Sequence, residues 1–486
     1  MKLNELLHDI YRGKIDPRFE SVDILSISCD SRKAMMGGLF VALHGKVHDG
    51  ADYIKEACSR RVFAVATMAD VTQLQEQHPR ICFLKVDDAQ DFLHQVVSRL
   101  YGNPSQTVRT IGITGTNGKT TITYLFEAIL GQAKKECGVI GTVNYRLADT
   151  VVPAGQTTPG FLDNQHFLTS LAWQHVPYCV MEVSSHALTQ DRVHGIDFKG
   201  AIFTNLTSDH LDYHETRENY FQAKSLLFRN LGPGSTAVIN IDDPYGQRLL
   251  SMTQAKVVTY GIERTADVMA KKIRMDMSGS RFALIALEGK VEIKTRLVGM
   301  YNIYNILAAI SMCLAEGVSL KDIRKGIDRL GAVPGRLERV DCGQKFSVFI
   351  DYAHTQDALK NVLETVRKIS KAKIILVFGC GGNRDKTKRP LMGEVAGRLA
   401  DFAFVTSDNP RNEDPQSIID QILPGFQRDN YKVIVNREEA IGQALKMAKS
   451  GDAVLIAGKG HEMYQIFANG PVYFNEREIV KKFLTC

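Results

Sequence analysis

"TVRTIGITGTNGKTTITYLFEAIL", residues 107–130, decides how the rest of this chain is read. Ile111 and Ile113 alternate as in a strand, and Ile122, Leu125, Phe126, Ile129 and Leu130 then recur at the spacing of one helical face. Between the two stands Gly115-Thr116-Asn117-Gly118-Lys119-Thr120-Thr121. Backbone N–H groups of such a loop, together with the helix N-terminus, wrap phosphates. Lys119 adds a cation, and Thr120 offers a hydroxyl of the kind Mg²⁺ accepts. An ordinary glycine-rich turn has no need of Gly-Lys-Thr in register with both a strand and a helix. The common phosphate loop leaves four residues between its first glycine and the Gly-Lys-Thr. Here five residues separate Gly112 from Gly118 and only two separate Gly115 from it, which weighs against ordinary P-loop kinases and GTPases.

The chain has 486 residues, too many for one ordinary core and enough for about three domains. Residues 1–105 hold short strands ("LFVAL", "VFAVAT", "ICFLKV") and two helical patterns, closing at the breaker cluster "YGNPSQ". Residues 106–332 alternate β-rich runs with helices, until Pro334-Gly335 interrupts the pattern. Residues 333–486 repeat apolar runs, "SVFI", "IILVF", "FAFV", "KVIV" and "AVLIA", with helical segments between them. Continuous apolar strands alternating with helices predict an α/β fold with mostly parallel sheets covered on both faces, Rossmann-like in the C-terminal part. Ligands of such sheets bind beyond the C-terminal strand ends. Those ends read "DYAHT", "GCGGNRDK", "SDNPRNEDP" and "AGKGHE", four polar loops at one edge.

Composition narrows the class. No apolar run approaches the roughly 18–20 residues of a membrane helix, and the N-terminus is too broken by polar residues for a secretory signal. A cytoplasmic location is expected. The nine cysteines (29, 58, 82, 137, 179, 313, 342, 380, 486) are scattered without a CxxC pair, so neither a disulfide nor a zinc site is assigned. A net charge of +6 is mild and suits a small polyanionic substrate. "RKISKAKI" reads as a solvated helix face, not a nucleic-acid arm. A monomer working on small molecules, without nucleic acid or membrane, is expected.

Other candidates follow from placement. "YCVMEVSSH" is an apolar strand ending in Glu182, a natural Mg²⁺ ligand beside a phosphate loop. "AIFTNLTSDHLDYH" delivers Asp209, His210, Asp212 and His214 after another strand; each alone can equally be a surface or capping residue, and His210 is the candidate. In "ENYFQAKSLLF", Lys224 shares the apolar stripe of Tyr220, Phe221, Leu227 and Phe228. Its stem can snorkel to water. Alternatively it is held in the site and converted by CO₂ to a carbamate (N6-carboxylysine), an anionic oxygen ligand. Arg411 follows the stiffening Pro410, and its planar fork suits a carboxylate. The bland reading pairs it with Glu413 or Asp414 on the surface.

Taken in order, "GTNGKTT", "TTP", "MEVSSHAL", "TNLTSDHLDYH", "YFQAKSLLF", "GMYNIYN", "PGRLE", "DYAHT", "GCGGNRDKTKRP" and "GKGHE" resemble the Mur ligase family over nearly the whole chain. Folylpolyglutamate synthetases share the phosphate loop but not the "TTP…EVSSH" pairing or "DNPR". The third alternative, a nucleotide-gated interaction module, leaves the strand-end loops idle. The resemblance implies three domains: a UDP-end domain, an ATP domain, and a C-terminal domain for the amino acid. It implies ATP-dependent amide formation on UDP-N-acetylmuramoyl-L-alanyl-D-glutamate through an acyl phosphate. Lys119, Glu182, His210 and Lys224 are the catalytic set. Glu182, His210 and carbamylated Lys224 hold Mg²⁺, with Thr120 assisting. Asn305, Arg336 and Asp351 complete the ATP site. Ser31 in "CDSR" and the turn "GKVHDG" meet the uridine diphosphate. Gln156, Thr157, Thr158, Ser184, Gln190 and Arg192 hold the muramoyl dipeptide. Asp408, Asn409, Pro410 and Arg411 match the family's diaminopimelate motif; Arg384 shares the distal carboxylate, and Gly458 and Glu462 of "GKGHE" receive the distal amine.

Overall fold

Strand Arg109–Thr114 and helix Lys119–Gln132 form where alternation and helical spacing predict them. Ile111, Ile113, Ile122, Leu125, Phe126, Ile129 and Leu130 are all fully buried. The computed structural model describes every residue except 46–47, 148–149, 208–210 and 486, and the side chains of 211–212 also lie outside the description. The chain divides into two compact units: Met1–Thr110 with Thr158–Cys179 and Ser185–Phe198, and Ile111–Thr157 with Val180–Ser184 and Lys199–Cys486.

The first unit carries a four-stranded sheet of Ile27–Ser28, Leu39–Val41, Ala64–Thr67 and Cys82–Lys85, with every neighbouring pair parallel. Alternation divides its side chains between two faces. Leu39, Val41, Ala64, Ala66 and Leu84 join one apolar cluster, whereas Phe40, Val65 and Phe83 join another. Helix Ala89–Tyr101 starts at Asp88, whose carboxylate accepts from the N–H groups of Gln90 and Asp91.

The second unit holds two large sheets. In the first, strands Lys256–Gly261, Thr236–Asn240, Phe198–Phe203, Arg109–Thr114, Tyr178–Glu182 and Cys137–Ile140 follow one another in space. Antiparallel ribbons widen both edges: Val268–Asp276, Gly279–Ala286 and Gly289–Thr295 on one side, Asn144–Leu147 and Thr150–Pro153 on the other. In the second sheet the order is Glu338–Val340, Ser347–Asp351, Ala453–Ala457, Ile374–Phe378, Phe402–Val405, Tyr431–Val433. Only its first pair is antiparallel. Phe349, Leu376, Val405 and Leu455 face one helical layer; Val348, Ile350, Ile375, Val377 and Ile456 face the other. The sheet is therefore covered on both faces, as the unbroken apolar runs predict.

Among the described residues no helix is long and apolar enough to cross a membrane. Among the described residues seven cysteines are free thiols, but Cys342 is disulfide-bonded, which corrects the expectation of no disulfide. Its neighbours in sequence, Cys313 and Cys380, are both free, so local spacing held no signal of the bond.

Candidate active site

The phosphate loop is held open by glycine. Gly115 and Gly118 adopt φ of 141° and 95°, and a Cβ on them would come within 1.9 Å of Thr204 Oγ1 and 2.2 Å of Asn305 Oδ1 respectively. Asn117 is tied down on both sides: its N–H donates to Asn205 Oδ1 (3.0 Å), and its carbonyl accepts from Thr204 Oγ1 (2.6 Å). Thr116 Oγ1 accepts from Thr207 N–H (3.0 Å). Thr121 is buried in the first helical turn. Asn305, fixed by donation to Asn302 Oδ1 (3.1 Å), therefore abuts Gly118 directly. Lys119 Nζ folds back onto the carbonyls of Gly115 and Thr116, at 2.8 Å from each.

Strand Tyr178–Glu182 delivers a buried carboxylate. Glu182 is 1% exposed and receives the Thr142 N–H (2.8 Å) and hydroxyl (3.0 Å), one on each oxygen. Val183 N–H donates to Ile113 O (2.8 Å), which ties the end of this strand to the one feeding the phosphate loop. Lys224 lies on helix Arg217–Arg229 and does not snorkel: it is 1% exposed, and its Nζ reaches Gly115 O at 2.9 Å. His210 and Asp209 fall outside the described residues, as do Lys46 and Val47 of the "GKVHDG" turn.

Arg336 joins the two sheets of this unit. Its Nη2 donates to Thr120 Oγ1 (3.1 Å), and its guanidinium lies 5.0 Å over the Tyr352 ring. Asp351 acts through backbone: one oxygen accepts from Leu337 N–H (2.6 Å), the other from Ala353 N–H (2.8 Å). Burial raises its pKa, against the pull of Arg336 and these two amides.

The strand-end loops of the second sheet gather the candidate amino-acid residues. Asn409 donates to Glu462 Oε2 (2.9 Å) and accepts from Lys459 Nζ (2.8 Å); Lys459 also reaches Glu462 Oε2 (2.9 Å). A Cβ on Gly458 would lie 2.7 Å from Asp408 Oδ2, a buried oxygen without a hydrogen-bond partner. Arg411 is left-handed, at φ 54°, and its N–H pairs with Ile466 O (2.9 Å). Its Nη1 donates to Gly382 O (2.8 Å). Glu413 belongs instead to the buried Arg389, which grips it through both Nη atoms at 3.0 Å, and Asp414 caps the following helix at Ser417 N–H (2.8 Å). The surface pairing of Arg411 with either acid is thus absent. Arg384 is exposed, and Gly381 has Arg411 Nη1 and Arg384 Cγ within 3.1 and 3.8 Å of where its Cβ would be.

The remaining candidates fall in both units. In the first, Ser31 Oγ donates to Glu56 Oε2 (2.6 Å), and Arg192 spans Thr158 O (3.1 Å) and Gln190 Oε1 (3.0 Å). In the second, Thr157 Oγ1 meets Thr142 Oγ1 (3.1 Å), the backbone of Gln156 is held by Tyr145 OH (2.6 Å), and Ser184 follows the Glu182 strand. Sequence reasoning missed Lys459, Thr142 and the Arg389–Glu413 pair. A lysine between two glycines carries no burial signal, and a threonine hydrogen-bonded to a carboxylate forty positions on carries none either. In the first unit His94, Asp191 and His194 cluster, but the two imidazoles stack at 3.8 Å and 10°, so their in-plane lone pairs run parallel and do not converge on an ion.

A sheet ending in a glycine-rich Gly-Lys-Thr loop, tied through an arginine to a second, doubly covered and mostly parallel sheet, defines an α/β protein of the nucleotide-using class. Residues 113–313 match the family model described as Mur ligase middle domain, and residues 335–460 match Mur ligase, glutamate ligase domain. The chain is 42% identical over its full length to a UDP-N-acetylmuramoyl-L-alanyl-D-glutamate--2,6-diaminopimelate ligase of Clostridium botulinum, covering 99% of that protein. It is 44% identical to the protein of the same name from Caldanaerobacter subterraneus subsp. tengcongensis, covering 100% of this chain and 99% of that one. A solved structure of a ligase with that name superposes with a TM-score of 0.68 at 30% identity, over 98% of both chains. The chain belongs to the Mur ligase family.

Proposed function

We propose that this protein is an ATP-dependent ligase of peptidoglycan precursor synthesis, joining meso-diaminopimelate to the D-glutamate side-chain carboxylate of UDP-N-acetylmuramoyl-L-alanyl-D-glutamate. The observation that carries the choice of amino acid is Arg411: one Nη rests on Gly382 O, and neither neighbouring acid takes the rest of the guanidinium. That leaves the Nε–Nη2 edge for a distal carboxylate, which diaminopimelate has and lysine lacks. The names of relatives at 42–44% identity support the same reading.

In this reading residues 106–332 hold ATP, 1–105 the uridine end and 333–486 the amino acid, in a cytoplasmic monomer. Backbone amides of residues 115–121 and Lys119 hold the phosphates, with Asn305 and Arg336 beside them. A carboxylate is a poor acyl donor because its leaving group is oxide. Transfer of the γ-phosphoryl group to it makes an acyl phosphate, and the amine then displaces phosphate. The donor set fits Mg²⁺: Glu182 and Thr120 supply hard oxygens, and Lys224 joins them only as a carbamate, since its ammonium would repel a cation; His210 is the fourth candidate. When bound, Mg²⁺ neutralises charge as two anions meet. Gln156, Thr157, Thr158, Ser184, Gln190 and Arg192 orient the dipeptide. Arg411, Arg384, Asp408, Asn409, Gly458 and Glu462 orient the amino acid and help keep water from the acyl phosphate.

The test is phosphate release by the purified chain. It should require ATP, the UDP-dipeptide and diaminopimelate together, with lysine a poor substitute. ATP turnover indifferent to the dipeptide, or lysine used as well as diaminopimelate, would overturn the assignment.

A further inference from the structure

One polar atom at the junction of the strand-end loops has no structural employment. Three loops meet there: Tyr352 N–H donates to Gly335 O (2.9 Å), Gly458 N–H donates to Asp351 O (3.0 Å), and a Cβ on Gly335 would come within 2.3 Å of His461 N. The His461 ring lies against Tyr352 with centroids 4.9 Å apart. Its Nδ1 is buried and has no hydrogen-bond partner, and the ring lies beside the backbone of Thr142. Nδ1 is the ring nitrogen that is both buried and unpartnered, and burying an N–H donor without an acceptor costs more than burying a bare lone pair, so the proton sits on Nε2. The tautomer is thereby fixed, and Nδ1 presents a bare lone pair. Burial, then Arg336, His354 and Lys459, hold the imidazole's pKa down to about 4, so it is neutral at physiological pH. Tyr352 and Glu462 complete the ionisable groups around it.

The position of this lone pair matters more than its basicity. Thr142, whose backbone lies beside the His461 ring, holds Glu182 through its N–H and hydroxyl. Arg336, 5.0 Å over the same Tyr352 ring, reaches Thr120 of the phosphate loop. Glu462, the next residue, belongs to the Asn409–Lys459 network on the amino-acid side. His461 therefore stands where the phosphate side and the amine side of the site meet.

We propose that His461 Nδ1 accepts the proton released when the amine attacks the acyl phosphate, a role that rests on the ligase reading above. The free amine's lone pair forms the C–N bond, leaving nitrogen positively charged with one proton too many. That proton passes to Nδ1, the C–O bond breaks, and inorganic phosphate departs with the electron pair. The N–H of such an adduct is far more acidic than an ordinary ammonium, so a weak, unprotonated imidazole suffices and is empty when needed. Histidinium then returns its proton to solvent as products leave.

The two half-reactions separate this role from a structural one. In full-length H461Q and H461A, acyl-phosphate formation is measured without amine, by hydroxylamine trapping in the presence of ATP and UDP-dipeptide; amide formation is measured with diaminopimelate across pH 5–9. The expected result is trapping within a few fold of the unmodified chain and amide formation slower by about 10²- to 10⁴-fold. The profile from pH 5 to 9 should keep its shape, because an imidazole held at about 4 does not titrate there, and added imidazole should partly rescue H461A. Equal losses in both half-reactions, or none in either, would overturn the proposal. Absence of dipeptide-dependent trapping in the unmodified chain would instead sink the ligase reading on which it stands.

Discussion

Replacing Arg411 tests the choice of amino acid most directly. Its Nη1 is already committed to Gly382 O at 2.8 Å, so a ligand carboxylate must be taken side-on by Nε and Nη2. Two charge-assisted hydrogen bonds of this kind are worth about 3–4 kcal/mol together, once part of their value is set against desolvation. At about 1.4 kcal/mol per decade, Arg411→Gln should lower kcat/KM for diaminopimelate by roughly 10²- to 10³-fold. Arg411→Lys keeps the charge but only one aligned donor, and a loss of about 10- to 30-fold is expected. Glutamine is preferable to glycine as the replacement: the left-handed φ of 54° already strains the native side chain, so the backbone cost stays nearly constant. The assay is initial-rate phosphate release with ATP, UDP-dipeptide and amino acid varied in turn. KM for ATP should stay within about twofold, and lysine, lacking the distal carboxylate, should be no worse a substrate than before. Equal losses for lysine and diaminopimelate, or a parallel rise in KM for ATP, would refute the reasoning.

Lys224→Ala should be inactive and partly rescued by short carboxylates such as acetate, and intact-mass measurement under CO₂ should find one carbamate on the unmodified chain; an unmodified lysine in a fully active enzyme would contradict this. Removal of divalent cations with a chelator should abolish dipeptide-dependent acyl-phosphate trapping, with Mg²⁺ restoring it, and trapping that survives the chelator would dismiss Glu182 and Thr120 as ligands. Glu413→Gln should destabilise the fold by about 3 kcal/mol, because it leaves the fully buried Arg389 without its counter-charge. Arg389 holds the Glu413 carboxyl down to about 2 from an ordinary 4.5. The contribution is thus fully present above pH 4.5 and fades as pH falls through about 2. The difference in melting temperature between the two chains should shrink over that acid range and stay constant from pH 5 to 8.

What could be read in advance was whatever local pattern controls. Five apolar runs became the strands of the second sheet because a strand covered on both faces needs no alternation, and the turns between them had to be polar. The phosphate loop was legible because Gly115 and Gly118 are demanded by atoms of Thr204 and Asn305 that leave no room for a Cβ. The side-chain partnerships were not legible, because they close over long sequence separations. Arg389 looks like one more charge in "DKTKRP", yet it is fully buried and meets Glu413. Lys459 reads as a solvent-facing lysine, yet it is buried between Asn409 and Glu462. The left-handed backbone of Arg411 is set by its pairing with Ile466, a contact across more than fifty residues. Conversely, the stripe on helix Arg217–Arg229 made the burial of Lys224 an open choice, and the fold decided it.

That burial also bears on the proposed carbamylation. Lys119 Nζ and Lys224 Nζ both donate to Gly115 O, at 2.8 and 2.9 Å, so the two ammonium groups stand less than about 6 Å apart. At an effective dielectric of about 20, two like charges at that distance repel by roughly 3 kcal/mol. In the proposed reading Lys119 keeps its charge for the phosphates, and Lys224 gives up its own. Addition of CO₂ would reverse the sign at Lys224, turn the repulsion into attraction, and place an anionic oxygen donor beside the loop where the proposed Mg²⁺ would bind. The loop geometry that sets two lysine side chains on one carbonyl is thus one term in favour of the proposed carbamate at position 224, which would also supply a metal ligand.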